Sequence, residues 1–352
     1  MTPVALPPIA LLVPGSIDTI SGGYGYDRRL IAGLREAGRP VTVVELPGRH
    51  PLPDAVAEAA ARAALETIPH TSRIVVDGLC LPAFAGLEGS LRARRAVGLI
   101  HHPTSLETGL SAADRAELLA RESALFPAMA HLVATSRLTA ERLAPDFAVD
   151  AGRIAVVEPG TDPAPRSGGS GGPGCVILSV GTLLPRKGHD VLLHALGRLI
   201  DLDWSLTIVG ANRDPAHAEA LRGLARDLGI ADRVVFGGEM AGDALEALYA
   251  RSDLFALATH WEGYGMAAAE ALARGLPLAI TAGGAIGDLA SPGTAIVAAP
   301  GDAVSLSRGM RRPMYDRAIR AQMADAAWAA GQLLPRWHDQ AARFAAILDD
   351  PA

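Results

Sequence analysis

The sequence predicts an α/β protein made of two Rossmann-like domains, each built on a parallel β-sheet. Short apolar runs alternate with helical patterns along the chain, as they do in doubly wound sheets. A stretch rich in glycine, proline and serine interrupts this alternation near the middle, after which the alternation restarts. The length of 352 residues also exceeds the roughly 250–300 residues at which single cores stop growing. We therefore expect two domains that face each other across a cleft.

The first domain opens with the apolar run Ile9–Val13, which ends at Pro14 and Gly15, as suits a buried parallel strand. A helical pattern follows over Tyr26–Ala37 and is closed by Gly38. Further strands are predicted at Val41–Leu46, Arg73–Asp77, Ala96–His101, His131–Thr135 and Ile154–Glu158. Further helices are predicted at Asp54–Ile68 and Ala112–Ala130.

Residues 159–174 read PGTDPAPRSGGSGGPG, a composition typical of flexible linkers. We predict a first domain over residues 1–163, a linker over 164–174 and a second domain over 175–335. Strands of the second domain are predicted at Cys175–Val180, Trp204–Val209, Arg233–Phe236, Asp253–Leu257 and Pro277–Ile280. Its helices are predicted at His189–Ile200, Pro215–Leu228, Asp243–Ala250 and Gly265–Arg274. A last helical stretch, Trp337–Leu348, could pack on either domain.

The composition excludes several classes of protein. A formal charge of −6 and an aromatic content of 4% argue against a nucleic-acid partner. The two cysteines, Cys80 and Cys175, are too far apart in the sequence for a CxxC site or a disulfide framework. The chain has no basic leader and no run of 18 apolar residues. We expect a cytoplasmic protein, with contact at the membrane surface left open.

The segment from Glu262 to Glu270 carries the sharpest chemical signal. Glu262 follows a predicted strand, and glycines open the backbone just before a predicted helix, whose first N–H groups can hold phosphate. Glu270 lies about two turns into that helix. Ionised carboxylates accept hydrogen bonds from sugar hydroxyls, although two surface glutamates are the simpler alternative. The backbone predicted to hold phosphate is that of Gly263, Tyr264, Gly265 and Met266.

Two adjacent cations, Arg186 and Lys187, follow the first strand of the second domain. Open α/β sheets bind ligands at the carboxyl ends of their strands, where this pair would lie. The pair suits a diphosphate whose charge grows as its bond to a sugar breaks, while a solvated basic turn is the alternative. The segment is not a P-loop, because arginine precedes the lysine and no serine or threonine follows it.

A glycine loop containing Gly22 and Gly23 opens the first helix of the first domain, where backbone could approach an anionic ligand. An intact NAD fingerprint is not predicted, because Arg28 occupies the position of its last glycine. His101 ends a strand of the same domain and could donate to a sugar hydroxyl, although a structural histidine is the alternative. The Asp201-Leu202-Asp203 sequence precedes a strand, so we interpret it as a surface turn and not as a metal site.

These segments give the chain a resemblance to the GT-B fold, family 4 retaining glycosyltransferases. The second half resembles their donor domain through VGTLLPRKG, ITAGGAI and the E-x7-E pattern of EGYGMAAAE. The first half resembles their acceptor domain through SGGYGYDRRL, LIHHP and VVEPGTD. The resemblance implies two Rossmann-like domains and a C-terminal helix, within residues 336–352, that packs back on the first.

The resemblance also implies site residues. Gly22 and Gly23 match the glycine pair beside the donor diphosphate, and Lys187 matches the phosphate-binding lysine. Glu262 matches the glutamate near the donor sugar, Glu270 the one that holds the ribose hydroxyls, and His101 the pocket histidine. The family requires neither a catalytic metal nor another cofactor.

Two positions depart from the family pattern. Thr182 stands where many members have an arginine, and Arg186 could supply the missing cation. Asp288 stands where a glutamate or threonine is common.

The resemblance thus implies a retaining, metal-independent hexosyltransferase that uses a UDP- or GDP-sugar. Its acceptor would be a glycan, a lipid or a small molecule. A nucleotide-sugar epimerase of the same fold and a non-catalytic nucleotide-sugar-binding subunit stay open as alternatives.

Overall fold

A computed structural model describes residues 6–107 and 109–350 of the chain. The chain divides into two units, which are two α/β domains as the sequence predicts. Unit 1 comprises the residues up to Gly160 together with the segment from Pro335 onward. Unit 2 runs from Thr161 to Leu334.

Unit 1 is built on a six-stranded parallel sheet with the strand order β2-β1-β3-β4-β5-β6. Its strands are β1 (Ile9–Pro14), β2 (Val41–Leu46), β3 (Arg73–Asp77), β4 (Val97–Ile100), β5 (His131–Ala134) and β6 (Ile154–Val156). All residues of β1, β4 and β5 are buried, which explains why these strands read as continuous apolar runs. The strand order changes direction between β1 and β3, where sheets of this kind bind ligands.

The helices of unit 1 are α1 (Gly22–Glu36), α2 (Ala55–Thr67), α3 (Glu88–Ala93), α4 (Ala112–Leu125), α5 (Arg137–Phe147) and α12 (Trp337–Asp349). Helix α1 begins at Gly22, four residues before its predicted start at Tyr26. The Ser21 side chain caps the helix there by accepting a hydrogen bond from the Tyr24 N–H. Helix α4 ends at Leu125, where Pro127 follows in a short 3₁₀ turn.

Helix α12 packs on α1 and completes the core of unit 1. A side chain at Gly33 would place its Cβ 2.6 Å from the Ala341 Cβ, so glycine lets the two helices approach closely. The indole ring of Trp337 meets the Tyr26 ring edge-on, with 5.4 Å between ring centroids. At the end of α12, Asp349 accepts a hydrogen bond of 2.8 Å from the buried guanidinium of Arg39. The C-terminal helix therefore belongs to unit 1.

Unit 2 is built on a second six-stranded parallel sheet, with the strand order β12-β11-β10-β7-β8-β9. Its strands are β7 (Cys175–Val180), β8 (Trp204–Val209), β9 (Val234–Gly238), β10 (Leu254–Leu257), β11 (Leu278–Thr281) and β12 (Ala295–Ala298). Counted from β7, this is the 3-2-1-4-5-6 order of dinucleotide-binding sheets. Its switch point lies between β7 and β10.

The helices of unit 2 are α6 (His189–Gly197), α7 (Pro215–Asp227), α8 (Gly242–Arg251), α9 (Met266–Ala273), α10 (Ala303–Tyr315) and α11 (Arg317–Gly331). The sequence did not predict β12, α10 or α11. The strand is only four residues long, and Pro313 within α10 disguises the helical pattern.

The predicted linker over 164–174 is not a free connection, because the structure includes it in unit 2. The Ser167 N–H donates to the Arg274 carbonyl at 2.8 Å, and the Ser167 hydroxyl donates to the Ala250 carbonyl at 2.9 Å. The carboxylate of Asp253 accepts from the N–H groups of Ser170 and Val176. Backbone hydrogen bonds thus fix a segment whose composition alone is typical of linkers, and the change between units lies at Gly160 instead.

Candidate functional site

The cations predicted to bind phosphate lie in the loop that follows β7, beside the switch point of the sheet in unit 2. A short 3₁₀ turn spans Pro185–Lys187 and is followed by Gly188, whose φ of +61° is left-handed. A Cβ atom at Gly188 would lie 1.9 Å from the Ala258 carbonyl oxygen. Glycine is therefore required here, because the loop after β7 presses against the loop after β10.

Glu262 lies in the loop after β10 and is fixed through its backbone to the loop after β11. Its N–H donates to the Gly283 carbonyl at 2.8 Å, and its own carbonyl accepts from the Ala285 N–H at 2.9 Å. Gly284, at a φ of +80°, leaves no room for a side chain against the Glu262 backbone. The small-residue loop after β11 therefore holds Glu262 in place.

The carboxylate of Glu262 forms a buried ion pair with Lys187. The Lys187 Nζ lies 2.5 Å from Glu262 Oε1, and the side chains are only 14% and 10% exposed. The Arg186 guanidinium lies 3.8 Å from the same oxygen, and the Thr259 hydroxyl donates to it at 3.3 Å. Burial alone would raise the pKa of Glu262, but the two cations outweigh it and lower that pKa.

Lys187 is the only lysine in the chain, whereas arginine occurs 31 times among the 32 basic residues. Its aliphatic stem packs over Gly181, where an added Cβ would lie 3.3 Å from Lys187 Cδ. An ammonium is a compact point charge with three donors, unlike the wider planar guanidinium. A single lysine in a chain that otherwise uses arginine marks this position from the sequence alone.

Helix α9 starts beside this ion pair. Gly265 precedes it at a φ of +103°, where an added Cβ would lie 2.8 Å from Ile286 Cγ1. No side chain among the described residues caps the helix, so its N-terminal dipole and first N–H groups are available to an anion. The structure thus brings Arg186, Lys187 and the start of α9 to neighbouring strand ends, together with Gly263, Tyr264 and Met266.

Glu270 lies on α9 and contacts groups that sequence reasoning did not single out. The Tyr249 hydroxyl donates to Glu270 Oε2 at 3.0 Å, and the Arg274 guanidinium lies 4.5 Å from the centre of the Tyr249 ring. Arg274 also forms an ion pair with Glu246. Burial raises the pKa of Glu270, against the opposing effects of Tyr249 and Arg274.

In unit 1, His101 lies between two buried carboxylates. Its Nε2 is 3.2 Å from Asp27 Oδ1 and 3.3 Å from Asp77 Oδ2. Asp27 comes from α1, Asp77 ends β3, and His101 follows β4, so three neighbouring elements build the cluster. The Tyr26 ring meets the imidazole edge-on at 5.2 Å, and the Gly23 backbone lies against the same ring.

Neither aspartate was predicted, although a carboxylate at the end of a buried strand, as at Asp77, is a readable signal. Among the described residues, Asp27, Asp77 and His101 have donor atoms close enough to share a cation. The separations of 3.2 and 3.3 Å from His101 Nε2 are also those of hydrogen-bonded ion pairs. The pairing needs no ion to explain it.

Within the described residues, no helix has both the length and the apolar character needed to span a bilayer.

Comparison with known proteins agrees with the geometry. Residues 164–329 match the family described as glycosyl transferases group 1. The D-inositol 3-phosphate glycosyltransferase of Salinispora tropica is 33% identical over 269 residues, which are 66% of this chain and 55% of that protein. The chain therefore covers little more than half of that relative's length.

Two solved structures show the same fold over nearly the whole chain. Sucrose-phosphate synthase from Thermosynechococcus elongatus gives a TM-score of 0.80 at 20% identity and covers 96% of this chain and 97% of its own. The Anabaena protein HepE, solved in complex with UDP and glucose, gives a TM-score of 0.76 at 17% identity, with 97% and 99% covered. The fold is GT-B, and the domain at residues 164–329 matches the glycosyl transferases group 1 family.

Proposed function

We propose that this protein is a retaining glycosyltransferase that moves a sugar from a nucleotide-diphosphate-sugar donor to an acceptor. The observation that carries the proposal is the pairing of Lys187 and Glu262 beside the start of α9, at the switch point of unit 2. Cationic groups and a sugar-binding carboxylate meet there, as a reaction between a sugar and a diphosphate requires. We further propose that neither a metal ion nor another cofactor takes part.

The leaving diphosphate gains charge as its bond to the sugar breaks, so fixed positive groups stabilise the transition state. Lys187 has three N–H donors and can contact Glu262 and a phosphate oxygen together. Arg186 and the N-terminus of α9, including the Gly263–Met266 backbone, would contact the remaining phosphate oxygens. The other oxygen of Glu262 is then available to a sugar hydroxyl.

The other predicted residues take supporting roles in this proposal. Glu270 accepts hydrogen bonds from the ribose hydroxyls of the nucleotide, in a position that Tyr249 fixes. Gly22 and Gly23 give backbone close access to the diphosphate, and His101 donates to a sugar hydroxyl. The acceptor proton passes to the leaving phosphate, since no separate base is needed in a front-face reaction.

The acceptor is the least defined part of the proposal. Relatives named for inositol 3-phosphate and sucrose phosphate make phosphorylated polyols and sugars the first acceptors to test. Glycan and lipid acceptors, with contact at a membrane surface, come next. A UDP- or GDP-sugar is the proposed donor, the cytoplasm the proposed location, and nucleic acid is not a proposed partner.

The single lysine offers a direct test of donor binding. An amine-directed acylating reagent can modify only Lys187 and the chain's α-amine, and mass spectrometry quantifies both. We expect UDP or GDP, with or without a sugar, to protect Lys187 while the α-amine reacts as before. A thermal-shift series with UDP, GDP, ADP and their sugars identifies the base through the stabilisation that binding gives. Equal modification of Lys187 with every nucleotide would contradict its proposed role.

Activity is tested with the donor that binds most tightly. Transfer to an acceptor panel is expected for the natural chain and lost in Lys187→Ala, with a circular dichroism spectrum that shows a folded protein. Lys187→Arg keeps the charge but not its shape, so we expect it to lose most activity as well. Incubation with donor alone separates the alternatives, because an epimerase would convert the free nucleotide sugar. Binding without transfer or conversion would favour a non-catalytic subunit.

A further inference from the structure

The cluster of Asp27, Asp77 and His101 in unit 1 has an unusual charge balance. Asp27 is fully buried, Asp77 is 4% exposed, and both carboxylates face the same imidazole nitrogen. Two buried carboxylates side by side are costly to ionise together unless a positive group lies between them. A neutral histidine could not supply that charge. The geometry alone therefore favours a protonated imidazole.

The positions of the two carboxylates show which ring nitrogen of His101 binds them. Both carboxylates lie on Nε2, so this nitrogen must carry a proton to hold either of them. The second ring nitrogen, Nδ1, lies on the other edge of the ring. The His101 side chain is 25% exposed, so the cluster is open to a ligand through the histidine and not through the carboxylates.

We propose that Asp27 and Asp77 are positioning residues that hold His101 as an imidazolium and leave its Nδ1–H to donate to a substrate oxygen. The part of this proposal that concerns substrate rests on the proposed function. The part that concerns the charge of His101 does not. A charged donor forms hydrogen bonds to hydroxyl or phosphate oxygens roughly twice as strong as those of a neutral one.

The electrostatics of the cluster agree with its geometry. Burial alone would lower the pKa of His101, but the charges and hydrogen bonds of Asp27 and Asp77 outweigh it and raise that pKa to about 10. Burial, and then repulsion from Asp77, raises the pKa of Asp27. The other titratable groups with a shifted pKa near the cluster are the Tyr26 phenol, the Cys80 thiol and the His50 imidazole. Burial raises the pKa of the phenol and the thiol and lowers that of the imidazole. None of these three groups is charged at neutral pH, so the aspartates are the charges that oppose the histidine.

The test is a titration of His101 by ¹⁵N-edited NMR of the unliganded, full-length protein. We expect the His101 signal to stay in its imidazolium form through neutral pH, with its midpoint near 10. Asp77→Asn and Asp27→Asn should each bring the midpoint down toward the ordinary value of about 6.5. Glu122→Gln is the matched control, since it removes another buried carboxylate of unit 1 that binds Thr104 and Ser105 and not His101. A natural protein whose His101 titrates at or below about 6.5 overturns the proposal even if no variant folds.

Kinetics test the consequence for the reaction. With the natural chain, kcat should not fall as the pH rises from 6 to 8, because His101 keeps its proton while Asp27, whose pKa burial raises to about 7, becomes ionised. In Asp77→Asn it should fall about ten-fold over that range, because roughly 1.4 kcal/mol is lost when the donor becomes neutral. A flat profile in a variant whose His101 has become neutral would overturn the substrate part alone. Calorimetry tests for stoichiometric binding of Mn²⁺ or Zn²⁺, and NMR tests whether that binding deprotonates His101. Both results together would show that the cluster is a cation site and would overturn the whole proposal.

If the chain proves to have no transferase activity, the titration still decides whether the aspartates hold His101 charged. The two failures are therefore distinguishable.

Discussion

Replacing Lys187 by methionine should destabilise unit 2 by about 3 kcal/mol, since it leaves the Glu262 carboxylate buried without its closest partner. Methionine keeps most of the aliphatic stem that packs over Gly181, so the change removes the charge and little of the packing. Glu262 is only 8% exposed, and the backbone bonds to Gly283 and Ala285 hold its main chain in place. The substitution thus isolates the electrostatic role of the lysine.

The magnitude follows from what remains around the carboxylate. Removal of one partner from a buried ion pair costs about 3–5 kcal/mol when nothing replaces it. Here Arg186, 3.8 Å away, and the Thr259 hydroxyl, 3.3 Å away, still contact Glu262 Oε1. The loss of unfolding free energy should therefore lie near the lower end of this range, about 3 kcal/mol. Loss of Arg186 itself, whose side chain is 30% exposed, should cost less than about 1 kcal/mol.

Urea unfolding followed by tryptophan fluorescence is the assay. Three of the four tryptophans, Trp204, Trp261 and Trp328, lie in unit 2, so the signal reports mainly on that unit. Arg186→Met is the matched control for removal of a neighbouring cation. The double variant Lys187→Met with Glu262→Gln should recover part of the loss, because the buried charge is gone.

Two results would refute this reasoning. The first is a stability for Lys187→Met within about 0.5 kcal/mol of the natural chain, the range of ordinary surface changes. The second is a double variant no more stable than the sum of its single changes predicts, which would mean that Glu262 and Lys187 do not interact.

Three further predictions concern other parts of the two sites. Tyr249→Phe removes the hydrogen bond to Glu270 and should weaken nucleotide binding by about two- to twelve-fold in calorimetry, from about 0.5–1.5 kcal/mol; unchanged affinity would remove Tyr249 from the site. Gly265→Ala should destabilise unit 2 by about 1–3 kcal/mol in the same urea assay, since alanine is strained at a φ of +103° and its Cβ meets Ile286; a stability equal to that of the natural chain would show that the loop adjusts freely. The raised pKa of His101 should stabilise unit 1 fully below about pH 6.5 and lose that contribution as the pH rises through about 10, so the unfolding midpoint should fall over this range less steeply in His101→Gln; equal slopes would contradict the ion pair.

The fold was readable from the sequence because its central parallel strands are buried on both faces. Runs such as Ile9–Val13 and Cys175–Val180 contain little besides apolar residues, and such runs are hard to mistake. The chain from 295 to 331 was not readable, since β12 is short and half-exposed and a proline interrupts α10. The composition of residues 164–174 is typical of a linker, but the folded chain fixes this segment. Its serine and glycine N–H groups donate to Asp253 and to carbonyls that are remote in sequence.

In the candidate sites, motifs in the sequence predicted some of the residues, whereas others could be found only from the packing of the folded chain. Glu262, Glu270 and Lys187 stand at recognisable spacings. Asp27 and Tyr249 have no such spacing, because each reaches its partner from a helix remote in sequence. The ion pair between Lys187 and Glu262 joins residues 75 positions apart, so no local pattern could predict it.

The return of α12 to unit 1 sets the order in which the polypeptide can fold during synthesis. Unit 2 is continuous in sequence, from Thr161 to Leu334, and is complete before the ribosome reaches the segment that unit 1 still lacks. Until Trp337 and Ala341 emerge, Tyr26 and Gly33 on α1 lack the contacts that α12 makes with them. Domains commonly fold from the N-terminus as they are made. Here the unit that is translated first is completed by the segment that is translated last.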